Sequence, residues 1–580
     1  MNKQLLREII TIASERSAAR FLEQGIRKML PDASYGLNAW ALCYADAAFR
    51  SHGDARLLEA ILALGDHERS CFDEKKGFVA DLGEPDGQWD EWRAIAWLEA
   101  MALLGDKVDA ERRQAWRRAF LAFGEHFLAG FYDQDTFDGG IPNHGIWNHV
   151  FAHRIGQVLG VKELLDAARL GMGRILAGQT PDGCFRELQS VALFQGTPVT
   201  GYNLTSAHAI NLYCGHSKDP KAAEALEKAW HWYYDYLLPD FSLPPNFDFR
   251  QAYAHGHGGA RLPAHFMNKP EGAYITRLGL EEMLRTARSD EGKHPSLRGT
   301  GWLAFQYPMV EEGVEPREPR WPEFQRMLAE EAGVRRRNGW TAHLSGMTNV
   351  GNSNYSLRLF AQERQDHLSL HQERAGLLMG SSGSMITEDL STFVFYDTGR
   401  AHYLTDEAYL KSSPALDTLL LRYGSNVGAA SIDTSEAARA RIILSLHGER
   451  GHHPRRGVGH TQSAMAAKAH LTLRLKAGDT VTAGQRSWLL AGDDETMLRL
   501  AFDAGQEVCF GAWALVCVDG PWQLRWPVRA YNPYSLLGPG EQLAVAEVIL
   551  HAGAGALGSE AEQTAGRPTA TFHVIPKAGT

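Results

Sequence analysis

From the N-terminus to about residue 290 the apolar positions recur at intervals of three and four. The pattern is clear in YGLNAWALCYADAAFR (35–50), EWRAIAWLEAMALLG (91–105), RRQAWRRAFLAFGEHFLAGF (112–131) and AAEALEKAWHWYYDYLL (222–238). That spacing puts the apolar side chains on one stripe of a helix, so these segments are predicted helices. Gly/Pro/Asp clusters such as LGEPDGQWD, DTFDGGIPNHG and GQTPDGC separate them, giving helix, loop and helix many times over. Helical hairpins of this kind form either an open stack or a closed α/α toroid, and the lack of a fixed-period repeat favours the toroid. Beyond about residue 335 the period changes to two, in NYSLRLFAQ, DHLSLHQE, STFVFYD, ARIILSLHG, AHLTLRLKA, TMLRLAFDA and AVAEVILHA. These read as short, half-buried strands without helices between them, the pattern of an antiparallel β-sandwich. The predicted organisation is therefore an N-terminal α/α toroid, an incomplete barrel, over 1–290. A Pro/Glu-rich linker with a short helix follows over 291–333, and a C-terminal antiparallel β-sandwich over 334–580.

Composition narrows the function classes. With 44% apolar and 22% charged residues over 580 positions, the chain can bury large cores, which excludes disordered and fibrous classes. Fifty-nine basic against 69 acidic residues leave a net charge of −10, so no general basic field exists to hold nucleic acid or an anionic membrane. Charges interrupt the apolar residues of the first thirty positions before a signal-peptide core can form, and no stretch of 18 apolar residues occurs. The chain as given is expected to be cytoplasmic, or periplasmic or secreted if a signal has been removed ahead of it. The six cysteines are scattered without C-x-x-C spacing and read as free thiols. No Walker motif or G-x-S-x-G elbow is present, and MGSSGSM (379–385) reads as a turn.

The richest polar loop is IPNHGIWNHVFAHRIG (141–156), which gathers Asn143, His144, Trp147, Asn148, His149 and His153. If VFAHRIGQVLG continues as a helix, Asn148 and His149 stand at its first turn, with Asn148 suited to the N-cap. A capping Asn beside a surface His is the plain alternative. A second stretch, 179–215, carries Arg186, Glu187, Tyr202, Asn203 and His208, and a third, 247–266, carries Tyr253, His255, His257, Arg261 and His265 around a Gly-rich turn. The third is read as a substrate-lining loop, with metal binding or structure alone as the alternatives. Trp89, Trp92 and Trp147 offer flat faces on which sugar rings would stack, or else are core residues.

The pairing of Asn148 and His149 with Tyr202, 53 residues after His149, together with Asp182-Gly183-Cys184-Phe185-Arg186-Glu187, resembles the α/α-toroid plus β-sandwich polysaccharide lyases. The heparinase II/III-like and oligoalginate-lyase group is the one meant. In that group an Asn-His or a lone His in one toroid loop precedes a catalytic Tyr by some 55 residues, after a D-G-x-x-x-E-type stretch. The resemblance implies a lyase that cleaves a uronate-containing glycan by β-elimination. Abstracting the C5 proton builds charge next to a carboxylate, and an Asn amide supported by an Arg would neutralise it. Asn148 and Arg186 take those roles, His149 and Tyr202 serve as base and acid, and Trp147, Glu187, His208, Tyr253, His255 and Arg261 line or support the site. Members of the group often carry an H-x-H-x-D-like strand that holds a metal. Here DHLSLHQER has His367 and His371 on one strand face without the carboxylate. No catalytic cofactor is expected, and a structural zinc or calcium stays open. The expected partner is an acidic oligo- or polysaccharide, with no nucleic acid and no membrane. Three other readings stand beside it. One is a glycoside hydrolase drawing on Asp90, Glu91, Asp138 and Glu187. The others are a sugar isomerase or epimerase and a non-catalytic glycan-binding protein.

Overall fold

The computed structural model describes residues 2–25, 34–75, 77–79, 90–130, 142–185, 200–242, 244, 262–289, 297–328, 332–346, 366–380, 391–397, 400–402, 407–423, 426–448, 466–490, 497–528, 540–551 and 568–577. They form two compact units, one drawn mainly from Met1 to Pro319 and the other from Arg320 to Thr580. The segment from Asp235 to Gly256 groups with the second unit.

Twelve α-helices are described in the first unit and the segment leading out of it: α1 (Asn2–Gln24), α2 (Leu37–Ala45), α3 (Ala55–Cys71), α4 (Asp90–Leu104), α5 (Ala110–Leu128), α6 (Pro142–Leu159), α7 (Lys162–Ala177), α8 (Thr200–Ser217), α9 (Pro220–Tyr236), α10 (Ala264–Met267), α11 (Pro270–Arg288) and α12 (Leu297–Gln306). Local chemistry sets several of their ends. The Asp54 carboxylate accepts from the amides of Arg56 and Leu57, and that of Asp109 accepts from Arg112, each satisfying donors that a helix start leaves open. Helix α2 packs on α1, α3 and α4, α6 on α4, α5 and α7, and α1 returns onto the late helices α11 and α12. Asn2 donates to the Ala273 carbonyl at 2.8 Å and Arg16 to that of Ala287 at 2.5 Å, so first and late helices meet as a toroid requires. Between the helices Trp97 lies tilted on Phe120 at 4.5 Å, and Phe151 on Phe123 at the same separation. All three phenylalanines and Trp97 are buried. Emptying one such site, as in Phe120→Ala, costs about 3–5 kcal/mol.

The second unit holds two fully antiparallel sheets of nine and eleven strands. In the strand Ala466–Lys476 the side chains of Leu471, Leu473 and Leu475 enter the core, while His470, Thr472 and Arg474 take the other face. Alternation of this kind predicts a wet outer face, but here that face is buried as well. Thr341, His343, Ser345, His367, Ser369, His371, Thr472 and Arg474 are all buried. Bonds inside the protein account for part of this, since Arg474 donates to the Gly380 carbonyl at 3.0 Å and to the Glu541 carboxylate at 2.9 Å. Arg336 donates to the carbonyls of Asp235 and Leu237 and lies over the rings of Trp321 and Phe324 at 4.6 Å. His367 donates from Nδ1 to the Ser345 carbonyl at 2.8 Å.

The residues expected to form a linker are divided between the units. Helix α12 packs on α1 and α2, whereas Phe324–Leu328 is a strand paired with Ala332–Arg337. All six cysteines are unpaired, and burial pushes the Cys43 thiol up to about 12. No described helix is long and apolar enough to cross a membrane.

Candidate active site

Helix α6 begins at Pro142, six residues before the position expected from the sequence. Proline is favoured at the first helical position, where its missing N–H would have had no partner and its fixed φ suits the helix. The early start puts Asn148 in the helix interior rather than at the N-cap. It also sorts the polar side chains by face. At about 100° per residue, Trp147 and Asn148 lie within about 60° of His144, and His149 lies about 140° round the axis.

On the first of these faces, His144 meets helix α4. Its Nδ1–H donates to the Glu91 carboxylate, and both side chains are buried, at 8% and 6% exposure. The next residue, Trp92, stacks on the imidazole with ring centres 5.4 Å apart and planes 20° from parallel. Trp92 in turn sits edge-on to Trp147 at 6.4 Å and to Trp302 of α12 at 5.8 Å, and Trp147 edge-on to Trp302 at 5.3 Å. Tyr35, Trp92, Trp147, Gly301, Trp302 and Phe305 enclose a small cavity. Helix α8 reaches the same cluster through His208, which is buried and edge-on to Trp302 at 4.9 Å. Arg93, the third consecutive residue of α4 here, pairs at 3.1 Å with the buried Glu68, which also accepts from Ser34.

The other face holds His149. Its Nδ1–H donates to the Gly145 carbonyl at 2.7 Å, and its ring stands edge-on to Phe127 at 5.0 Å. Its Nε2 rests on the backbone of Gly171 in α7, so closely that a Cβ there would come to 2.0 Å. His149 is thus packed between helices as a core histidine. His153, one turn on, is buried against Tyr213 at 5.0 Å, and burial followed by the field of Arg169 lowers it to about 4.

The remaining expected site residues are distributed as follows. Asn148 is buried at 5% exposure. Trp147 is 1% exposed, and the rings of Trp92 and Trp302 occupy the surroundings a sugar would need, so it walls the cavity rather than offering a stacking face. Tyr202 lies in the first turn of α8. Its neighbour Asn203 accepts from the Phe185 amide at 2.9 Å, which ties the end of the 179–185 stretch to that helix. Arg186, Glu187, Tyr253, His255 and Arg261 lie outside the described residues. Reading from the sequence missed the grouping of Glu91, Trp92 and His144, because Glu91 and His144 are 53 positions apart on separate helices. Pro142 is the signal that would have found the face of α6.

The metal expectation was also tested on the residues present. His367 Nδ1 is committed to Ser345, and the described residues contain no group of three or more His, Cys, Asp or Glu able to hold an ion. Among the described residues the His367/His371 strand has no further ligands with which to make a zinc site.

Comparison of the sequence with protein-family models and with curated proteins finds no match. Solved structures do match. The chondroitin AC lyase of Streptomyces coelicolor A3, solved in complex with chondroitin sulphate, superposes with a TM-score of 0.56 at 12% identity, over 99% of this chain and 80% of that one. A Paenibacillus xanthan lyase gives 0.55 at 12% identity, over 100% of this chain and 57% of that one, so this chain spans little more than half of its length. Heparinase III gives 0.54 at 11% identity, over 94% and 76%. The chain therefore has the fold of the α/α-toroid plus β-sandwich polysaccharide lyases. Within that class the fold is common to lyases named for chondroitin, xanthan and heparin, so the likeness fixes the architecture and leaves the reaction to be argued from the site.

Proposed function

We propose that this protein is a lyase that cleaves a uronate-containing oligo- or polysaccharide by β-elimination. The observation that carries the reading is a buried histidine held edge-on by a carboxylate and face-on by an indole, inside the helical unit of a lyase-type fold. β-Elimination needs a group to take the C5 proton, a group to protonate the departing O4, and donors to neutralise the uronate carboxylate as the enolate-like charge grows. Here His144 replaces His149 as the proton-transfer histidine, because His149 is packed against Phe127 and Gly171. Tyr202 is its partner in acid–base work. Asn148, on the His144 face of α6, together with Arg186, binds the carboxylate, and Glu187, His208, Tyr253, His255 and Arg261 support or line the site. An acidic glycan is the partner.

The hydrolase reading loses a candidate, since Glu91 is engaged by His144 and is not a free acid poised over a glycosidic bond. The deciding experiment incubates wild type and Tyr202→Phe with a panel of uronate glycans and follows ultraviolet absorbance for the conjugated unsaturated uronate, which elimination produces and hydrolysis does not. Absorbance that rises with wild type and not with the variant supports the lyase. New reducing ends without absorbance indicate hydrolysis, and binding without either product indicates a glycan-binding protein.

A further inference from the structure

Glu91 takes no part in the proton transfers just described, yet it is the carboxylate that His144 touches. We infer that Glu91 is a positioning residue that sets the tautomer of His144, an inference that rests on the lyase reading of that histidine. A carboxylate accepts and does not donate, so its contact with Nδ1 fixes the proton there and puts the lone pair on Nε2. Whichever way the proton moves at the sugar, Nδ1–H stays on Glu91. If His144 is the base, the C5 proton joins Nε2, the C5–H pair forms the C4–C5 double bond, the C4–O4 bond breaks, and O4 leaves with a proton from Tyr202. If His144 is the acid, Tyr202 as phenolate takes the C5 proton and Nε2–H protonates O4. In both directions an imidazolium must be tolerated in a buried place, and two neighbours on α4 favour it. Glu91 supplies a negative charge at the ring edge, and the Trp92 face, 5.4 Å away, supplies a cation–π contact.

Arg93, the next residue along α4, does not compete for Glu91, because its charge is answered by Glu68 at 3.1 Å. A purely structural His–Glu link between α4 and α6 would be weak support for folding, since two buried polar groups must first be desolvated.

The test has a spectroscopic and a kinetic arm. In protein labelled with nitrogen-15 at histidine, long-range proton–nitrogen spectra of wild type should contain several Nδ1-protonated rings, those of His149 and His367 among them. The ring whose signals vanish in His144→Gln should be one of this kind and should change tautomer population in Glu91→Gln. With the glycan identified by the panel, Glu91→Gln should lower kcat about 100-fold with KM unchanged within about twofold, and Glu91→Asp should recover part of the loss. A kcat within about threefold of wild type in folded Glu91→Gln overturns the inference, as does a wild-type His144 protonated at Nε2 and not at Nδ1. The wild-type and His144→Gln spectra decide the tautomer even if Glu91→Gln fails to fold. If wild type makes no unsaturated product from any glycan, the lyase reading falls and with it the catalytic part of the inference. The spectra still decide separately whether Glu91 sets the tautomer.

Discussion

Each unit of the molecule contains a buried histidine on a carboxylate, and the two pairs differ in what surrounds them. In the sandwich, His470 spends both ring nitrogens on the protein, with Nδ1 on the Ser391 carbonyl at 2.8 Å and Nε2 on Glu547 at 3.1 Å. Glu547 also faces Arg525 at 3.3 Å and Lys468 at 3.8 Å, so several cations share one anion. Burial alone would raise that carboxyl, but His470, Arg525 and Lys468 outweigh it and hold it down to about 2. In the helical unit, His144 has Glu91 at its edge, an indole on its face and a small aromatic cavity bounded in part by that indole. The same two residue types thus make a cross-strand tie in one unit and, in our reading, a proton-transfer device in the other. What separates them is the company each pair keeps, with cations around Glu547 in the sandwich and aromatic rings around His144 in the helical unit.

The largest expected effect comes from exchanging the two histidines' fates. His144→Gln should abolish unsaturated-uronate formation by about 10²–10⁴-fold while the protein stays folded, the size expected for losing a general acid or base. His470→Gln should lower the thermal midpoint and leave the rate per folded molecule within a few-fold of wild type. If instead His470→Gln removes activity and His144→Gln does not, the assignment is reversed. The next effect tests His149 as a packing residue. Gly171→Ala puts a methyl where His149 Nε2 now lies, at 2.0 Å, and should destabilise the helical unit by about 1–3 kcal/mol in denaturant unfolding. An unchanged midpoint would show that His149 can move away, and would return it to the list of mobile site candidates.

The fold could be read from the sequence because periodicity reports burial. YGLNAWALCYADAAFR gave α2 because its period of three and four matches a helix buried on most sides, with Leu37 to Tyr44 all buried. AHLTLRLKA gave a strand because Leu471, Leu473 and Leu475 alternate into the core. Periodicity could not show that the polar set His470, Thr472 and Arg474 would also be buried, since alternation does not distinguish water from a protein partner. The candidate stretch was legible, and the face of the helix that carries it was not. Asn143, His144, Asn148 and His149 were all visible in IPNHGIWNHV, and the resemblance pointed to Asn148 and His149. That the helix starts at Pro142 and brings His144 against Glu91 was not visible there. Glu91 was visible only as a hydrolase candidate, because the contact that gives it meaning joins two helices.

The smallest effect separates the units by pH. His343 is buried in the sandwich, and burial, followed by the field of Arg336, lowers it to about 3, while Glu547 is held at about 2. An unfolded histidine titrates near 6.5, so between about 6.5 and 3 the unfolded chain binds the proton that folded His343 refuses, and stability falls as pH falls through that window. For Glu547 the window lies lower. Its contribution is present above the unfolded value near 4.5 and is lost as pH drops from there toward 2. At pH 5 only the histidine acts, and because its folded value lies well under 5, the loss relative to pH 7 is about 2 kcal/mol, set by the unfolded side. His153 and His216 in the helical unit, each lowered to about 4, act in the same window, so wild type alone cannot assign the slope. The comparison that can is His343→Gln against wild type, with thermal midpoints measured at pH 7 and pH 5. The variant should start lower at pH 7, having lost a packed ring, yet fall less on acidification, because the group that binds the extra proton is gone. Equal falls in both proteins would mean that the acid sensitivity resides in other histidines that burial lowers, such as His153, His216 or His371, and not in His343.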